Sequence, residues 1–374
     1  MKILSLHLEQ FRTYSHLLLD LAGSDLHLFI GSNGIGKTNI LEAIGVLSLT
    51  KSFLGIEEHD LPTWETHFYR VRGHMQIDGG EQQTLEVVST ISPRKQKACF
   101  LNDVALPLSR IVGLLPTVTF LPQDLDLFTW SPANRRRFID QLLCQVSSEY
   151  LTTLLLYQKV LKQRNALLKA LAKGTSDASL LSVWDEKLAE QGTRITLARI
   201  ELIEMLNLTF AGEVQALGES WSDPRIFYDR PTKSRDVQSL SQEMLALLHA
   251  SRTRDIALNS TTVGPHREDW GIEVHGRSLA RFASRGQQRV SVLALILLQS
   301  SYLELRRGEK PVILLDDVFS ELDDTHQKAL LNAFERHQVL ITATHLPEDL
   351  RNGKVWEVRR GVVEAKKEQI SVVM

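Results

Sequence analysis

The hydrophobic pattern of the chain changes its period around a glycine-rich stretch near the start. Leu26–Ile30 is a short, mostly apolar run of the kind that forms a buried strand, and it ends at Gly31. After the glycines, apolar residues recur at helical spacing, at Ile40, Leu41, Ile44 and Leu47. The pattern predicts a strand, a glycine loop and a helix, in that order.

The middle of the chain passes from strand-like to helical patterning. Residues 68–120 alternate between polar and apolar positions, with turn-forming residues at 78–80 and 101–103, so we expect antiparallel strands there. Apolar residues then fall at helical spacing over 147–173 and over 182–217, on either side of a Gly174–Asp177 break. This predicts a helical hairpin with arms of roughly 40 Å or somewhat more.

Apolar strands return later in the chain. Val312–Leu315 and Val339–Thr342 flank a helix-like stretch from about 325 to 336, and a parallel sheet with helical crossovers is the simplest arrangement. We therefore predict an α/β fold with a mixed sheet and a second, mostly helical lobe.

Composition excludes several classes of protein. Of the 374 residues, 43% are hydrophobic and 24% are charged, as in globular domains, and no apolar run is long enough to cross a bilayer. The two cysteines stand apart without metal-ligand spacing, and the first residues lack the apolar block of a signal peptide. We therefore expect a cytoplasmic protein without membrane contact.

The net charge of −2 gives no support for nucleic-acid binding by the chain as a whole. DNA contact would need a local basic patch, and the densest basic cluster is Arg135–Arg137, followed by Arg94–Lys97. Such runs are more often solvated faces, and the first cluster could equally be structural along a helix begun by Pro132. Arg135, Arg136 and Arg137 are candidate DNA contacts beside these alternatives.

The strongest chemical signal is the GxxxxGK[ST] pattern of a phosphate-binding loop. Its glycines let successive backbone N–H groups point at phosphate oxygens, and the following helix adds its positive end. The lysine would reach the β- and γ-phosphates of ATP and the threonine hydroxyl would bind Mg²⁺, while a plain surface turn is the alternative. The predicted nucleotide-binding residues are Gly31, Ser32, Asn33, Gly34, Ile35, Gly36, Lys37 and Thr38.

The second signal is a run of apolar residues that ends in two acids, Asp316 and Asp317. A buried strand would deliver both carboxylates to the carboxyl edge of the sheet, where ligands bind in α/β folds. Asp316 would hold Mg²⁺, together with Thr38, and Asp317 would orient or deprotonate the attacking water. An apolar strand ending in acids is common by itself, and its pairing with the glycine loop favours the functional interpretation.

A third feature, Ser284–Gln288, opens an apolar helix. Taken alone, the segment is best interpreted as an ordinary N-cap, although a small-residue turn at a helix N-terminus is also an anion site.

Together these motifs resemble, in order, those of ABC-type ATPase heads. The resemblance implies that two heads sandwich ATP, with Ser284, Gly286 and Gln287 contacting the nucleotide of a partner subunit. It also implies that Gln123 is a metal ligand and a catalytic residue, that Asp323 lies in the loop linking the two sites, and that His345 senses the γ-phosphate. The implied lobes are residues 1–123, the helical insertion 124–301, and 302–374.

Three further blocks are similar to the RecF family within this group: Phe11–Tyr14, Ser131–Phe138 and Val263–Asp269. That similarity implies an ATP-dependent homodimer with slow hydrolysis, which binds double-stranded and gapped DNA and cooperates with RecR and RecO in loading RecA. Because Asp317 is one methylene shorter than the glutamate of many ABC-type heads, slow hydrolysis is also expected from chemistry. Phe11, Arg12 and Tyr14 are candidates for a position near the nucleotide base, although the phenylalanines of the chain are most simply core residues.

Three alternative functions are a transporter-type ABC subunit, an ATPase fused to a nuclease, and a DNA clamp in which ATP is only structural. The blocks at 131–138 and 263–269 oppose the first, the 29 residues after His345 leave no room for a nuclease domain, and the paired acids oppose the third.

Overall fold

The structure is a computed structural model that describes residues 1–346 and 353–366. Its strands are β1 Lys2–Phe11, β2 Tyr14–Asp20, β3 Leu26–Ile30, β4 Phe68–Gln76, β5 Gln82–Thr90, β6 Gln96–Leu101, β7 Val104–Leu106, β8 Thr117–Phe120, β9 Pro224–Asp229, β10 Asp269–Val274, β11 Arg277–Ser278, β12 Val312–Leu315, β13 Val339–Ala343, β14 Lys354–Arg359 and β15 Val362–Ala365. Its α-helices are α1 Lys37–Leu49, α2 Leu108–Ile111, α3 Pro132–Val146, α4 Ser148–Ala172, α5 Leu181–Asn207, α6 Phe210–Ala216, α7 Val237–Leu258, α8 Leu279–Phe282, α9 Arg285–Arg307 and α10 Asp324–Ala333.

The chain divides into two compact units. Unit 1 contains Met1–Leu125 and the described part of the chain from Val292 onward, and unit 2 contains Asp126–Ser291. The predicted lobe boundaries after residues 123 and 301 stay predictions. Of the predicted last segment, residues 347–352 and 367–374 lie outside the described part of the chain.

Unit 1 contains two six-stranded sheets. The first is antiparallel, in the order β2-β1-β4-β5-β6-β7, and the second is mixed, in the order β15-β14-β3-β13-β12-β8. Helix α1 contacts strands of both sheets and is apolar on almost every side, as expected of a helix with no face toward water. Its buried Ile40, Ile44 and Leu47 join a core that contains Leu6 of the first sheet and Leu340 of the second.

Most pattern-based elements agree with the structure, with two exceptions. The prediction of antiparallel strands over 68–120 is wrong at the end of that range, because Leu108–Ile111 is helical and β8 pairs in parallel with β12. Strands β3 and β12 have the predicted bounds, and α4 and α10 lie within two or three residues of the predicted helices, close to the usual uncertainty of helix ends. The single helix predicted over 182–217 is wrong, because α5 ends at Asn207 and α6 begins at Phe210. No glycine or proline marks that break.

Unit 2 is built around the α4–α5 hairpin, with α7 packed against α5. Arg164 of α4 is fully buried and donates to Asp185 of α5 at 2.7 Å, to Asp255 of α7 at 2.7 Å and to Thr261 at 2.8 Å. Removal of one partner from such a network leaves an uncompensated buried charge, so the three helices depend on this arginine for their mutual position.

No helix in the described residues is both long and apolar enough to cross a membrane. The same residues contain no group of three or more His, Cys, Asp or Glu side chains arranged to hold a metal ion. A Mg²⁺ site in this part of the chain would therefore combine a carboxylate with other oxygens, since Mg²⁺ commonly binds one or two carboxylates and waters.

The strand that feeds the glycine loop carries a buried histidine. His27 of β3 is fully buried, and its Nε2 lies 3.0 Å from the backbone oxygen of Ser24. Its Nδ1 accepts from the indole N–H of Trp356 at 3.2 Å, which assigns the ring proton to Nε2. A second ring proton would face the Trp356 donor, and burial lowers the pKa of His27 from 6.5 to about 4.

We predict that this histidine makes the protein sensitive to acid. Between pH 6.5 and about 4 the unfolded chain binds a proton at His27 that the folded chain does not bind. The stabilisation from neutral His27 is therefore present above pH 6.5, lost as the pH falls, and fully lost below about 4. Since one pH unit corresponds to about 1.4 kcal/mol, the loss between pH 6.5 and about 4 amounts to about 3 to 4 kcal/mol.

Urea unfolding of wild type and His27→Gln across this pH range measures the effect. The variant should have a lower free energy of unfolding than wild type at pH 7, and that free energy should decrease less as the pH falls. The control His59→Gln, at an exposed position, should follow wild type. If the free energy of unfolding changes with pH equally in wild type and His27→Gln, His27 is not the source of the acid sensitivity.

Candidate nucleotide-binding site

The carboxyl ends of four neighbouring strands meet at one edge of the mixed sheet. Strands β3, β13, β12 and β8 are consecutive and parallel. The residues that follow them are Gly31, His345, Asp316 and Gln123. Parallel pairing thus brings four predicted site segments, widely separated in sequence, to the edge where α/β folds bind ligands.

The glycine loop has the backbone conformation that its sequence predicts. Gly34 and Gly36 have φ of +74° and +113°, and Gly36 caps the helix that begins at Lys37. Ser32, Asn33 and Gly34 are exposed, so the loop is open to a ligand at its outer surface. Only glycine adopts such angles without strain, which explains its presence at both positions.

Lys37 folds back over this loop. Its Nζ donates to the backbone oxygens of Gly31 at 2.8 Å and of Ser32 at 3.0 Å, and only 7% of the residue is exposed. Burial lowers the pKa of Lys37, and the charges of Asp317 and Asp316 oppose that shift. The ammonium group is therefore held at the loop by carbonyl groups that a phosphate can replace.

The Phe11–Tyr14 block lies against the glycine loop and the start of α1. The Tyr14 hydroxyl donates to the backbone oxygen of Gly36 at 3.1 Å, and Asn39 donates to the Thr13 hydroxyl at 3.0 Å. Phe11 and Tyr14 are fully buried, as core residues are, and their proximity to a nucleotide base stays a prediction. Arg12 pairs with buried Glu42 of α1, its Nε lying 3.0 Å from a carboxylate oxygen.

Thr38 and Asp316 form the centre of the site. The Thr38 hydroxyl lies 2.9 and 3.0 Å from the two carboxylate oxygens of Asp316. Two adjacent oxygens around an octahedral Mg²⁺, each about 2.1 Å from the ion, are separated by about 3 Å, so this pair fits a shared magnesium ion. Burial raises the pKa of Asp316, while hydrogen bonds from Thr342 and Thr38 oppose the rise.

Asp317, the residue after the predicted metal ligand Asp316, occupies a strained backbone conformation. Its φ is +47° and its ψ is +31°, a left-handed region that costs a non-glycine residue about 1 kcal/mol or more. The Asp317 N–H donates to the hydroxyl of Thr342 at 2.9 Å and to its backbone oxygen at 3.2 Å. Such strain at the end of a strand often accompanies function.

Thr342 is the site residue that the sequence did not predict. It is fully buried in β13, and its hydroxyl donates to Asp316 at 2.6 Å while accepting from Asp317. A neutral threonine inside an apolar run carries no chemical signal, and only the pairing of β13 with β12 places it beside the acids.

The two other predicted catalytic residues and Asp323, the predicted link between the two sites, lie at accessible positions in unit 1. Gln123 is exposed in the turn after β8, and His345 is exposed after β13. Asp323 caps α10, accepting from the His326 N–H at 3.0 Å and lying 2.9 Å from its Nδ1, and the His326 backbone N–H lowers the pKa of Asp323. The roles of all three in a nucleotide reaction stay predictions.

The Ser284–Gln288 segment of unit 2 forms a capping box at the start of α9. The Ser284 N–H donates to the Gln287 side chain at 3.1 Å, and the Gln287 N–H donates to the Ser284 hydroxyl at 3.2 Å. The N-cap interpretation therefore applies. Contact of Ser284, Gly286 and Gln287 with a partner's nucleotide stays a prediction, and all three lie at or near the surface.

The basic cluster at 135–137 contributes to the interior of unit 2. Arg135 forms a two-pronged pair with Asp269, with one bond at 2.9 Å, and Arg136 donates to the backbone oxygen of Glu268 at 2.7 Å. Arg137 has interactions as well. These contacts favour the structural interpretation, and DNA binding by Arg135, Arg136 and Arg137 stays a prediction.

The Val263–Asp269 block contains the partners of Arg135 and Arg136 and makes further contacts in unit 2. Glu268 is buried and accepts from Tyr228 and from Thr196, the latter at 3.1 Å, and burial raises its pKa. Pro265 accepts from Arg199 at 2.7 Å, and His266 lies 2.6 Å from the Tyr157 hydroxyl. The block therefore joins α3, α4, α5 and β9 in unit 2.

Comparison with known proteins agrees with this fold. The family model for the RecF/RecN/SMC N terminal domain matches residues 2–359. The DNA replication and repair protein RecF of Natranaerobius thermophilus is 36% identical over 365 residues, which cover 95% of this chain and 94% of the relative.

Two solved structures are also similar to the chain. One is the recombination mediator protein RecF-ATPrS in the RecFOR pathway, with a TM-score of 0.91 and 31% identity over 97% of this chain and 98% of the other. The second, RecF-ATP, has a TM-score of 0.90 and 31% identity, and covers 97% of both chains.

The fold and the glycine loop with its facing aspartate define an ATP-binding head of the RecF and SMC class. Within that class, the chain belongs to the RecF family of DNA replication and repair proteins. The transporter-type alternative has no support among these relatives.

We predict that Gly36→Ala disables the loop for a steric reason. An added Cβ would lie 2.5 Å from the Thr13 hydroxyl oxygen at a φ of +113°, so either the loop or the Thr13 turn must move. ATP affinity should fall at least about tenfold, because one lost hydrogen bond to a charged group is worth about 1.5–3 kcal/mol.

Calorimetric titration with ATP measures this loss. Gly23→Ala is the matched control, since Gly23 has a φ of +83° with no atom within 4 Å of the added Cβ. The control should lose about 1 kcal/mol of stability and keep its ATP affinity. Wild-type affinity in Gly36→Ala would show that the close approach of Thr13 is unimportant.

Proposed function

We propose that this chain is an ATP-dependent DNA-binding protein of recombinational repair and replication, with weak ATPase activity. The observation that carries the proposal is the contact between the Thr38 hydroxyl and the Asp316 carboxylate. It joins a phosphate-binding loop to a metal carboxylate, as an ATP and Mg²⁺ site requires. The solved RecF-ATP structure and the RecF relatives support the assignment.

Each residue at the sheet edge has a distinct task in this proposal. The loop N–H groups and the positive end of α1 bind the phosphates, and Lys37 exchanges its carbonyl partners for β- and γ-phosphate oxygens. Thr38, Asp316 and Gln123 hold Mg²⁺, which neutralises charge on the phosphates when it is bound. His345 senses the γ-phosphate.

Asp317 positions the attacking water and accepts its proton. Within residues 1–346 and 353–366 its backbone groups make hydrogen bonds and its side chain accepts none from another group, which leaves the carboxylate available to a water molecule. Aspartate is one methylene shorter than glutamate, so we propose hydrolysis that is slow, below the usual enzyme median of about 10 s⁻¹.

ATP also joins two copies of the chain in this proposal. Ser284, Gly286 and Gln287 of one subunit contact the γ-phosphate bound by the other, and Asp323 connects the two sites. The capping box supports the geometry, because it presents the first turn of α9 with its backbone N–H groups fixed. Hydrolysis would then separate the subunits.

The dimer binds double-stranded and gapped DNA in the cytoplasm, and cooperates with RecR and RecO in loading RecA. The RecFOR pathway of the solved relatives supports this choice of partners. Phosphate contacts would provide the affinity, so binding should depend steeply on salt and little on base sequence. Arg135 and Arg136 are weaker DNA candidates than the sequence predicts, because both have intramolecular partners.

Sedimentation velocity with ATP, Mg²⁺ and a gapped duplex tests the proposal. Wild type should dimerise on DNA only when ATP is present. Lys37→Met should stay monomeric for lack of nucleotide, and Ser284→Arg should bind ATP and stay monomeric because it fills the subunit contact.

Ser284→Ala separates the subunit contact from helix capping. It should cost about 1 kcal/mol of helix stability and still dimerise, since it adds no bulk. A wild-type protein that binds ATP but remains monomeric and ignores DNA would overturn the proposed function.

A further inference from the structure

The hydroxyl of Thr342 has both of its hydrogen-bonding functions assigned by its surroundings. It accepts from the Asp317 N–H at 2.9 Å, so its single proton is directed to Asp316, at 2.6 Å. The residue is fully buried, and water does not compete for either bond. One side chain thus orients the metal carboxylate and supports the backbone of the next residue.

Thr342 holds Asp316 in a way that Thr38 does not. Thr38 is itself a predicted Mg²⁺ ligand, so its hydroxyl has to serve the ion as well as the carboxylate. Thr342 bonds to Oδ1 of Asp316 from the neighbouring strand and is not itself a predicted ligand of the ion. The orientation of Asp316 toward a metal therefore depends on Thr342.

The same contact holds the strained conformation of Asp317. Within the described residues, the Asp317 N–H donates to two acceptors, the hydroxyl and the backbone oxygen of Thr342. The Asp317 carbonyl is held by the Ser320 hydroxyl at 2.8 Å. The left-handed backbone at a φ of +47° sets the direction in which the Asp317 carboxylate leaves the strand.

Thr342 also links the acids to the segment that carries His345. It belongs to β13, which pairs with β3 on one side and with β12 on the other. The last pair of the β12–β13 register is Leu315 with Ile341. The hydrogen bonds of Thr342 extend the contact between the two strands beyond that pair, to a point three residues before His345.

We infer that Thr342 is a positioning residue for Mg²⁺-dependent ATP binding, acting through Asp316 and Asp317. The inference rests on the proposed ATP and Mg²⁺ site. Ligand-orienting residues outside the coordination sphere typically change metal affinity or activity about 10- to 100-fold when removed. Thr342 should therefore matter for the metal-dependent part of nucleotide binding and leave the binding of metal-free ATP to the loop intact.

The test compares Thr342→Val, which keeps the shape and removes the hydroxyl, with Thr342→Ser, which keeps the hydroxyl. Calorimetry gives the ATP dissociation constant of each protein with Mg²⁺ and with EDTA, and thermal unfolding reports stability. Thr117→Val is the matched control, because Thr117 is a buried threonine of β8 whose hydroxyl donates to Ser48 at 2.8 Å.

We expect the gain in ATP affinity from Mg²⁺ to fall about tenfold or more in Thr342→Val and to return in Thr342→Ser. Affinity in EDTA should match wild type in both, and Thr117→Val should keep the full gain. A full Mg²⁺ gain in Thr342→Val would overturn the inference. So would equal losses in Thr342→Ser and Thr342→Val, or in Thr117→Val, because packing would then be the cause.

Failure of the proposed function would give a different result. Wild-type protein that does not bind ATP, or binds it without a response to Mg²⁺, would overturn the ATP and Mg²⁺ site and this inference with it.

Discussion

The arrangement of the candidate site depends on the parallel pairing of β3, β13, β12 and β8. Parallel strands in register present their carboxyl ends at one edge, and here that edge receives the glycine loop, the acids and His345. Thr38 and Asp316 are separated by most of the sequence and yet lie 2.9 Å apart. A slip of one residue in any of these strands would turn its buried side chains to the opposite face and separate the two.

Charged groups are buried at this edge only where partners compensate them. Burial lowers the pKa of Lys37 and raises the pKa of Asp316, so desolvation acts against both charges. In the absence of ligands, backbone carbonyls accept from Lys37, and threonine hydroxyls donate to Asp316. A bound phosphate and a bound cation would add further countercharges, which gives the folded protein a physical reason to bind both.

Unit 2 uses buried charges for a different purpose. Arg164 pairs with Asp185 and Asp255 and so joins three helices. Glu268 accepts from a hydroxyl of α5 and a hydroxyl of β9 and so joins the two elements. The sequence block at 263–269 therefore has a structural explanation. Its composition resembles a functional motif because paired charges in a core need the same residue types as an active site.

Much of this organisation could be predicted from the sequence, and the failures have physical causes. Strand β3, the glycine loop and β12 have patterns with few alternatives, and their bounds agree with prediction. The break at Leu208 was not predictable from the pattern, because apolar residues keep helical spacing across it, at Leu202, Leu206, Phe210 and Val214.

Long-range contacts account for the other failures. The importance of Thr342 follows from the strand order alone, since its partner Asp316 lies 26 residues away in the sequence. The basic run at 135–137 has the pattern of a surface for DNA, because the sequence does not show that Asp269 lies opposite Arg135.

We propose above all that Asp316 and the glycine loop form one Mg²⁺-dependent ATP site. The most direct measurement is the ATP dissociation constant of Asp316→Asn and wild type, each with Mg²⁺ and with EDTA. The substitution keeps the size of the side chain and removes the charge that the cation needs. We predict equal affinity in EDTA and loss of the Mg²⁺ gain in the variant. A variant that retains the full Mg²⁺ gain would contradict the account.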